Sequence, residues 1–229
     1  MVQTELISRS PLRILERSTH GGVGKGNIGV IAGTKGSGAT ACLVHIATDQ
    51  LFQNRHVVHI SFLESTQHII SWYEDIFSEI SKRYKLDNAM TVHDEIVKNR
   101  VVINFAQSGV HAAEMEKSLA ALVEKAHFNA EVVVIDNYDF TISSVEELAE
   151  LKGFAEKFGL ELWFSACISD NDGVGVPKEL EKLAEEMCVI IRLKQTKDHV
   201  HLKLVKDHDS VPSDLHLALD PVVLLIAEE

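Results

Sequence analysis

The sequence predicts an α/β fold in which a mainly parallel sheet is flanked by helices, and three observations predict it. Short β-branched runs alternate with longer stretches of helical periodicity over most of the chain. One run, Val132-Val133-Val134-Ile135-Asp136, is continuously apolar up to its final carboxylate, the pattern of a strand buried on both faces. A glycine-dense turn from Gly33 to Gly38 then separates an apolar run ending at Ala32 from the helical run Cys42-Leu43-Val44-His45-Ile46-Ala47.

The elements follow in order. Ser10-Pro11-Leu12-Arg13-Ile14-Leu15-Glu16 is expected to be a short capped helix with proline at its first position. Gly21-Gly22-Val23-Gly24-Lys25-Gly26 leads into the first core strand, and 55–62 forms the second. From about Ser65 to Tyr84, Ile69, Ile70, Trp72, Tyr73, Ile76, Phe77 and Ile80 recur with helical spacing. A helix from Met90 to Lys98, a strand at 101–105, a helix from Ala112 to Phe128, the strand ending at Asp136, a helix from Val145 to Phe158 and a strand at 161–166 complete the alternation. The last quarter reads differently, with a short helix near Glu179 to Met187 and strand-like runs at Val189 to Leu193, Val200 to Val205 and Val222 to Ile226. Gln195-Thr196-Lys197-Asp198 is a plausible hairpin turn, so antiparallel strands are expected to extend the sheet. The expected organisation is one domain over 1–229, with 1–25 as an N-terminal lead-in and 26–226 as the core.

Bulk properties narrow the function classes. A formal net charge of −12 over 229 residues disfavours nucleic acid as a partner, because non-specific binding rests on clustered Lys and Arg. Cys42, Cys167 and Cys188 are scattered, each inside an apolar run, and read as reduced core residues of a cytoplasmic protein. No apolar run approaches the roughly 18 residues that span a bilayer, and Met1-Val2-Gln3-Thr4-Glu5 lacks the basic start of a secretion signal. No membrane association is expected.

Chemistry concentrates at the glycine-dense turn. Gly33 and Gly38 stand in the register of a phosphate-binding loop, whose backbone N–H groups converge on an anion at the positive end of the following helix. That pattern places a lysine directly after its second glycine and then a Ser or Thr. Ala39 occupies the lysine position, while Thr40 keeps the magnesium-binding hydroxyl. The eight residues Gly33, Thr34, Lys35, Gly36, Ser37, Gly38, Ala39 and Thr40 are therefore the candidate binding loop. Lys35 either reaches the phosphates from within the loop or is a solvated loop lysine. His199 and His201 share one face of a strand and read as a surface pair rather than a metal site.

Further motifs align with this loop: the lead-in glycines Gly21-Gly22 and Gly26, the segment His59-Ile60-Ser61-Phe62-Leu63-Glu64-Ser65, Asp136, Ser165 and Lys206-Asp207-His208. From about Pro11 to Ile226 this order of parts resembles the RecA-type ATPases, most closely the KaiC/RadA and DnaB-helicase branch. The resemblance implies a RecA-like P-loop fold binding ATP and Mg2+. It further implies Glu64 as the residue polarising the attacking water, Asp136 with Thr40 holding magnesium, and Ser165 as a γ-phosphate sensor. Lys206 and His208 would occupy the Lys-x-Arg pair that such proteins offer to a neighbour's nucleotide in a ring, filament or dimer.

The chain departs from that pattern at two cations. Ala39 removes the loop lysine, and His208 replaces an arginine whose in-trans contribution is worth about 10³ to 10⁵ in phosphoryl transfer. The expectation is an ATPase homologue with impaired or absent hydrolysis, acting as a nucleotide-binding or protein-binding regulatory or assembly component. The alternatives are an active ATP-hydrolysing protein that draws charge from Lys35 and an in-trans Lys206, and a subunit that never meets nucleotide.

Overall fold

The structure, a computed structural model, describes residues 2–105 and 112–229. Two short helices, α1 (Val2–Arg9) and α2 (Leu12–Ser18), precede β1 (Ile28–Gly33) and α3 (Ala39–Phe52). Next come β2 (His56–Ser61), α4 (Thr66–Tyr84), α5 (Ala89–Val97), β3 (Arg100–Asn104) and α6 (Ala112–Ala120). β4 (Ala130–Asp136), α7 (Val145–Phe158), β5 (Glu161–Cys167), β6 (Val189–Gln195), β7 (Val200–Asp207), β8 (Leu217–Leu219) and β9 (Ile226–Glu228) complete the order.

Among the described residues the strands form one sheet in the order β3-β2-β4-β5-β1-β6-β7-β8-β9. All pairs from β3 to β6 are parallel, and β7, β8 and β9 are added antiparallel. The expectation of an α/β fold with a mainly parallel sheet, helices on both faces and antiparallel C-terminal strands therefore holds. The physical reason is visible in β1, β4 and β5, whose residues are almost all buried, so each strand needs an apolar layer on both sides. Ile31, Val132, Val134 and Trp163 pack with α1 to α5 on one face. Val30, Val133, Ile135 and Phe164 pack with α6 and α7 on the other.

Local chemistry sets most boundaries. Ser65 caps α4 by accepting the His68 N–H, and Ser144 with Glu147 forms a reciprocal capping box at the start of α7. Gly159, at φ +64°, ends α7 in the left-handed conformation that stops a helix without a Cβ penalty.

Several expectations are corrected. Val222 to Ile226 is not a strand, because the Asp220 carboxylate accepts the N–H groups of Val222 (2.8 Å) and Val223 (3.2 Å) and bends the chain there. Strand pairing is displaced to β8 and β9 on either side. The helix from Ala112 widens into a π-helical turn at Ala121–Lys125, and the short helix after Glu179 is a 3₁₀ segment at Glu181–Glu186. α1 was not anticipated; its Leu6 reaches the core and its Glu5–Arg9 pair lies one turn apart. Cys42 is buried, but Cys167 is exposed at the end of β5 and Cys188 is half-buried, so only the first is a plain core thiol.

Two buried imidazoles tie the α3 and α4 layer to the sheet. His45 Nδ1 accepts the Ile226 N–H (2.9 Å), and His59 Nδ1 lies 3.0 Å from the Tyr73 hydroxyl. Burial, with help from Arg83, lowers His45 from 6.5 to about 4, and burial with Arg100 lowers His59 to about 3. Below pH 6.5 the unfolded chain takes up protons that these folded imidazoles refuse. Stability is therefore full above pH 6.5 and declines as the pH falls towards 4, at up to ~1.4 kcal/mol per unit for each group. Urea midpoints at pH 7.5, 6 and 5 are expected to fall in that order. His45→Asn, which keeps an acceptor for the Ile226 N–H, should flatten the slope.

Candidate functional site

In an open α/β sheet the crevice beyond the carboxyl ends of the strands, where successive connections diverge, is the natural ligand site. β1 lies at that point. It has β5 on one side and β6 on the other, and from its carboxyl end the chain passes through the glycine-dense turn into α3 and on to β2. Gly36 (φ +79°) and Gly38 (φ +92°) take left-handed conformations, and the Ser37 N–H donates to the Thr34 carbonyl (3.0 Å) inside the turn. Gly38 caps α3 and has no side chain to accept from the first-turn N–H groups, which have no intrahelical partner.

These residues line a cavity of about 700 Å³. All eight, Gly33, Thr34, Lys35, Gly36, Ser37, Gly38, Ala39 and Thr40, contribute to it. The facing wall is aromatic, from Phe62, Trp72, Tyr138 and Phe140, and Asp139 and Glu179 stand on its margin. Tyr138 packs edge-on against Phe62, Phe140 and Phe164 at ring separations of 5.6, 4.9 and 5.2 Å.

Asp136 lies buried beside the loop, bonded to Thr40 and Ser165, which line the cavity. The Thr40 hydroxyl donates to its carboxylate, 3.0 and 3.1 Å from the two oxygens, and the Ser165 hydroxyl donates to Oδ1 (2.7 Å). Asn137 Nδ2 donates to Oδ2 (2.8 Å), while the Asn137 backbone N–H donates to Ser165 Oγ (2.8 Å). Burial raises the Asp136 pKa; the donors from Ser165, Thr40 and Asn137 pull it back, and repulsion from Glu64 adds to the rise. Thr40, Asp136 and Ser165, far apart in sequence, thus form one buried cluster in which both carboxylate oxygens are already engaged, and among the described residues no group of three or more His, Cys, Asp or Glu side chains comes together to hold a metal ion.

Glu64 follows the end of β2. Its N–H donates to Ser61 Oγ (2.9 Å), Asn104 Nδ2 donates to its carbonyl, and its carboxylate lies 3.7 Å from His68 Nε2. It directly follows Leu63, which lines the cavity, but is not itself one of the lining residues.

Lys206 and His208 lie elsewhere. β7 runs antiparallel to β6, so Asp207 pairs with Val189 at the start of β6, at the amino end of the parallel strands. The loop leaves the carboxyl end of β1, so one chain cannot bring this pair to its own loop. Lys206 Nζ donates to the Ala184 carbonyl and His208 Nε2 donates to the Gly22 carbonyl (3.0 Å). His199 falls just before β7 rather than in it, and His201 within the strand pairs with Glu229.

Arg192 does not stand in for a lysine at position 39 either. Its neighbours Ile191 and Leu193 pack on the α3 side, so alternation sends Arg192 to the opposite face, where it bonds the Asp170 carbonyl.

The aromatic wall, Asn137 and the margin residues Asp139 and Glu179 were not singled out from sequence. Tyr138 and Phe140, two and four residues after the Asp136 carboxylate, are the one signal that could have suggested an aromatic surface there. The C-terminal strands also reach the site. Leu224 lines the cavity, and Leu219 Cδ2 lies 2.2 Å from where a Cβ on Gly38 would stand. No protein-family model and no curated protein sequence matches this chain.

Gly38→Ala is expected to destabilise the fold by more than ~1 kcal/mol, from both the left-handed backbone and the clash with Leu219. Adding Leu219→Ala should relieve the clash but not the backbone strain, so denaturant titrations of the double-mutant cycle should be non-additive. Ser165→Ala, which deprives the buried Asp136 of its shortest hydrogen bond, should cost ~1–3 kcal/mol by the same measurement.

Proposed function

We propose that this chain is a RecA-like nucleotide-binding protein that has lost most or all ATP hydrolysis and works by binding, as a regulatory or assembly component. The observation that carries the reading is the combination at the end of β1: a loop of backbone amides opening on a cavity, Asp136 held by Thr40 and Ser165 beside it, and alanine where the cation belongs. Binding and hydrolysis ask different things of such a site. Backbone N–H groups and a helix N-terminus suffice to hold an anion, whereas phosphoryl transfer depends on fixed cations that stabilise the transferring group.

Glu64 and Asp136 supply only the acidic half of that machinery. In the cis arrangement, Lys206 and His208 are committed to carbonyls of their own chain at the far end of the sheet. Self-association through that end would bring them to a neighbour's loop, with histidine in place of a planar, permanently charged arginine. The competing reading, an active ATPase using Lys35 and a neighbour's Lys206, has in its favour that Lys35 lines the cavity.

Turnover of radiolabelled ATP with magnesium separates the two. Wild-type protein is expected to release phosphate at or near the blank rate, and Ala39→Lys to tighten ATP binding. Brisk wild-type hydrolysis abolished by Glu64→Gln would overturn the proposal, and its loss on Lys35→Ala would establish the competing one.

A further inference from the structure

We infer that the ligand of the loop cavity is a nucleoside monophosphate rather than a triphosphate. The inference rests on the nucleotide-binding reading above and narrows it to a ligand with one phosphoryl group. Charge is the first argument. Among the described residues lining the cavity, Lys35 is the one basic side chain, while Asp139 and Glu179 are acidic and the buried Asp136 stands behind Thr40.

A phosphate monoester carries about −1.5 to −2 near neutral pH. One ammonium together with the roughly +0.5 of a helix N-terminus comes close to balancing it. Each additional phosphoryl group would add negative charge with no further basic side chain in the lining to meet it.

The second argument is a hydroxyl left without a partner. Ser37 is 2% exposed, lines the cavity, and its Oγ lies over Gly33 without a hydrogen bond. A buried hydroxyl in that condition is costly unless a ligand or water completes it, and a phosphoryl oxygen held by the neighbouring amides would do so.

Shape supplies the third. The cavity volume of about 700 Å³ falls within the range of small-molecule sites, and its aromatic lining includes the half-buried Trp72 and Phe62. A base stacked on such a surface gains affinity irrespective of its identity. The loop thus takes the phosphate, and the aromatic side takes the base.

Calorimetric titration of the full chain with AMP, GMP, ADP, ATP and inorganic phosphate, each with and without magnesium, tests this. A monophosphate is expected to bind at least tenfold more tightly than ATP under both conditions, and more tightly than inorganic phosphate. Lys35→Ala should weaken it at least tenfold; Lys35 is exposed, so the fold is not at stake. Trp72→Ala should weaken AMP and GMP while leaving inorganic phosphate unchanged.

Tighter binding of ATP than of AMP, with or without magnesium, overturns the inference and leaves the nucleotide-binding reading standing. Equal affinity for AMP and inorganic phosphate overturns the role of the aromatic side and with it the inference. Absence of binding by any of the five probes overturns both.

Discussion

A buried carboxylate must be satisfied by hydrogen bonds, and at Asp136 that requirement holds the site together. Its oxygens accept from Thr40 at the start of α3, Ser165 near the end of β5 and Asn137 on the following turn. Those donors come from three separate segments, so the carboxylate fixes where α3 begins relative to the carboxyl ends of β4 and β5. An unpaired charge at this depth would cost several kcal/mol (~3–5). The position of the loop follows, because Gly33 to Gly38 spans the short gap between β1 and the helix that Asp136 anchors.

The basic side chains are distributed in the opposite sense. Lys206 and His208 are at the amino end of the parallel strands, and Arg192 is on the face away from α3. Two sheet rules produce this separation. An antiparallel strand delivers its last residues to the end where its partner begins, and side chains alternate between faces. What is left at the loop is a group of backbone dipoles, one lysine and a carboxylate already engaged. Under the proposed function, such a surface holds a modestly charged anion but does not spread the charge of a transferring phosphoryl group.

The C-terminal strands do more than lengthen the sheet. β8 lays Leu219 against Gly38, and the N–H of Ile226, the first residue of β9, is accepted by His45 on α3. Glycine at 38 is therefore required twice over, by its left-handed backbone and by the side chain that fills the space where a Cβ would be. Through these contacts the end of the chain is structurally coupled to the loop near its beginning.

Much of this was legible in the residues. The continuous apolar run before Asp136, the helical spacing from Ile69 to Ile80 and the capped stretch from Val145 to Phe158 are local patterns, and local patterns report which faces must be buried. The register of Gly33 to Thr40, and the absence of lysine at Ala39, are properties of sequence alone. The misplacement of the last strands had an equally local cause, a carboxylate at Asp220 taking amide protons that an apolar run was expected to give to the sheet. What only the tertiary structure decided is which residues meet. That Thr40, Asp136 and Ser165 share one buried cluster, that Trp72 and Tyr138 wall the loop's cavity, and that Leu219 closes on Gly38 are consequences of strand order and packing, and periodicity carries no information about distances between elements that are far apart in the chain.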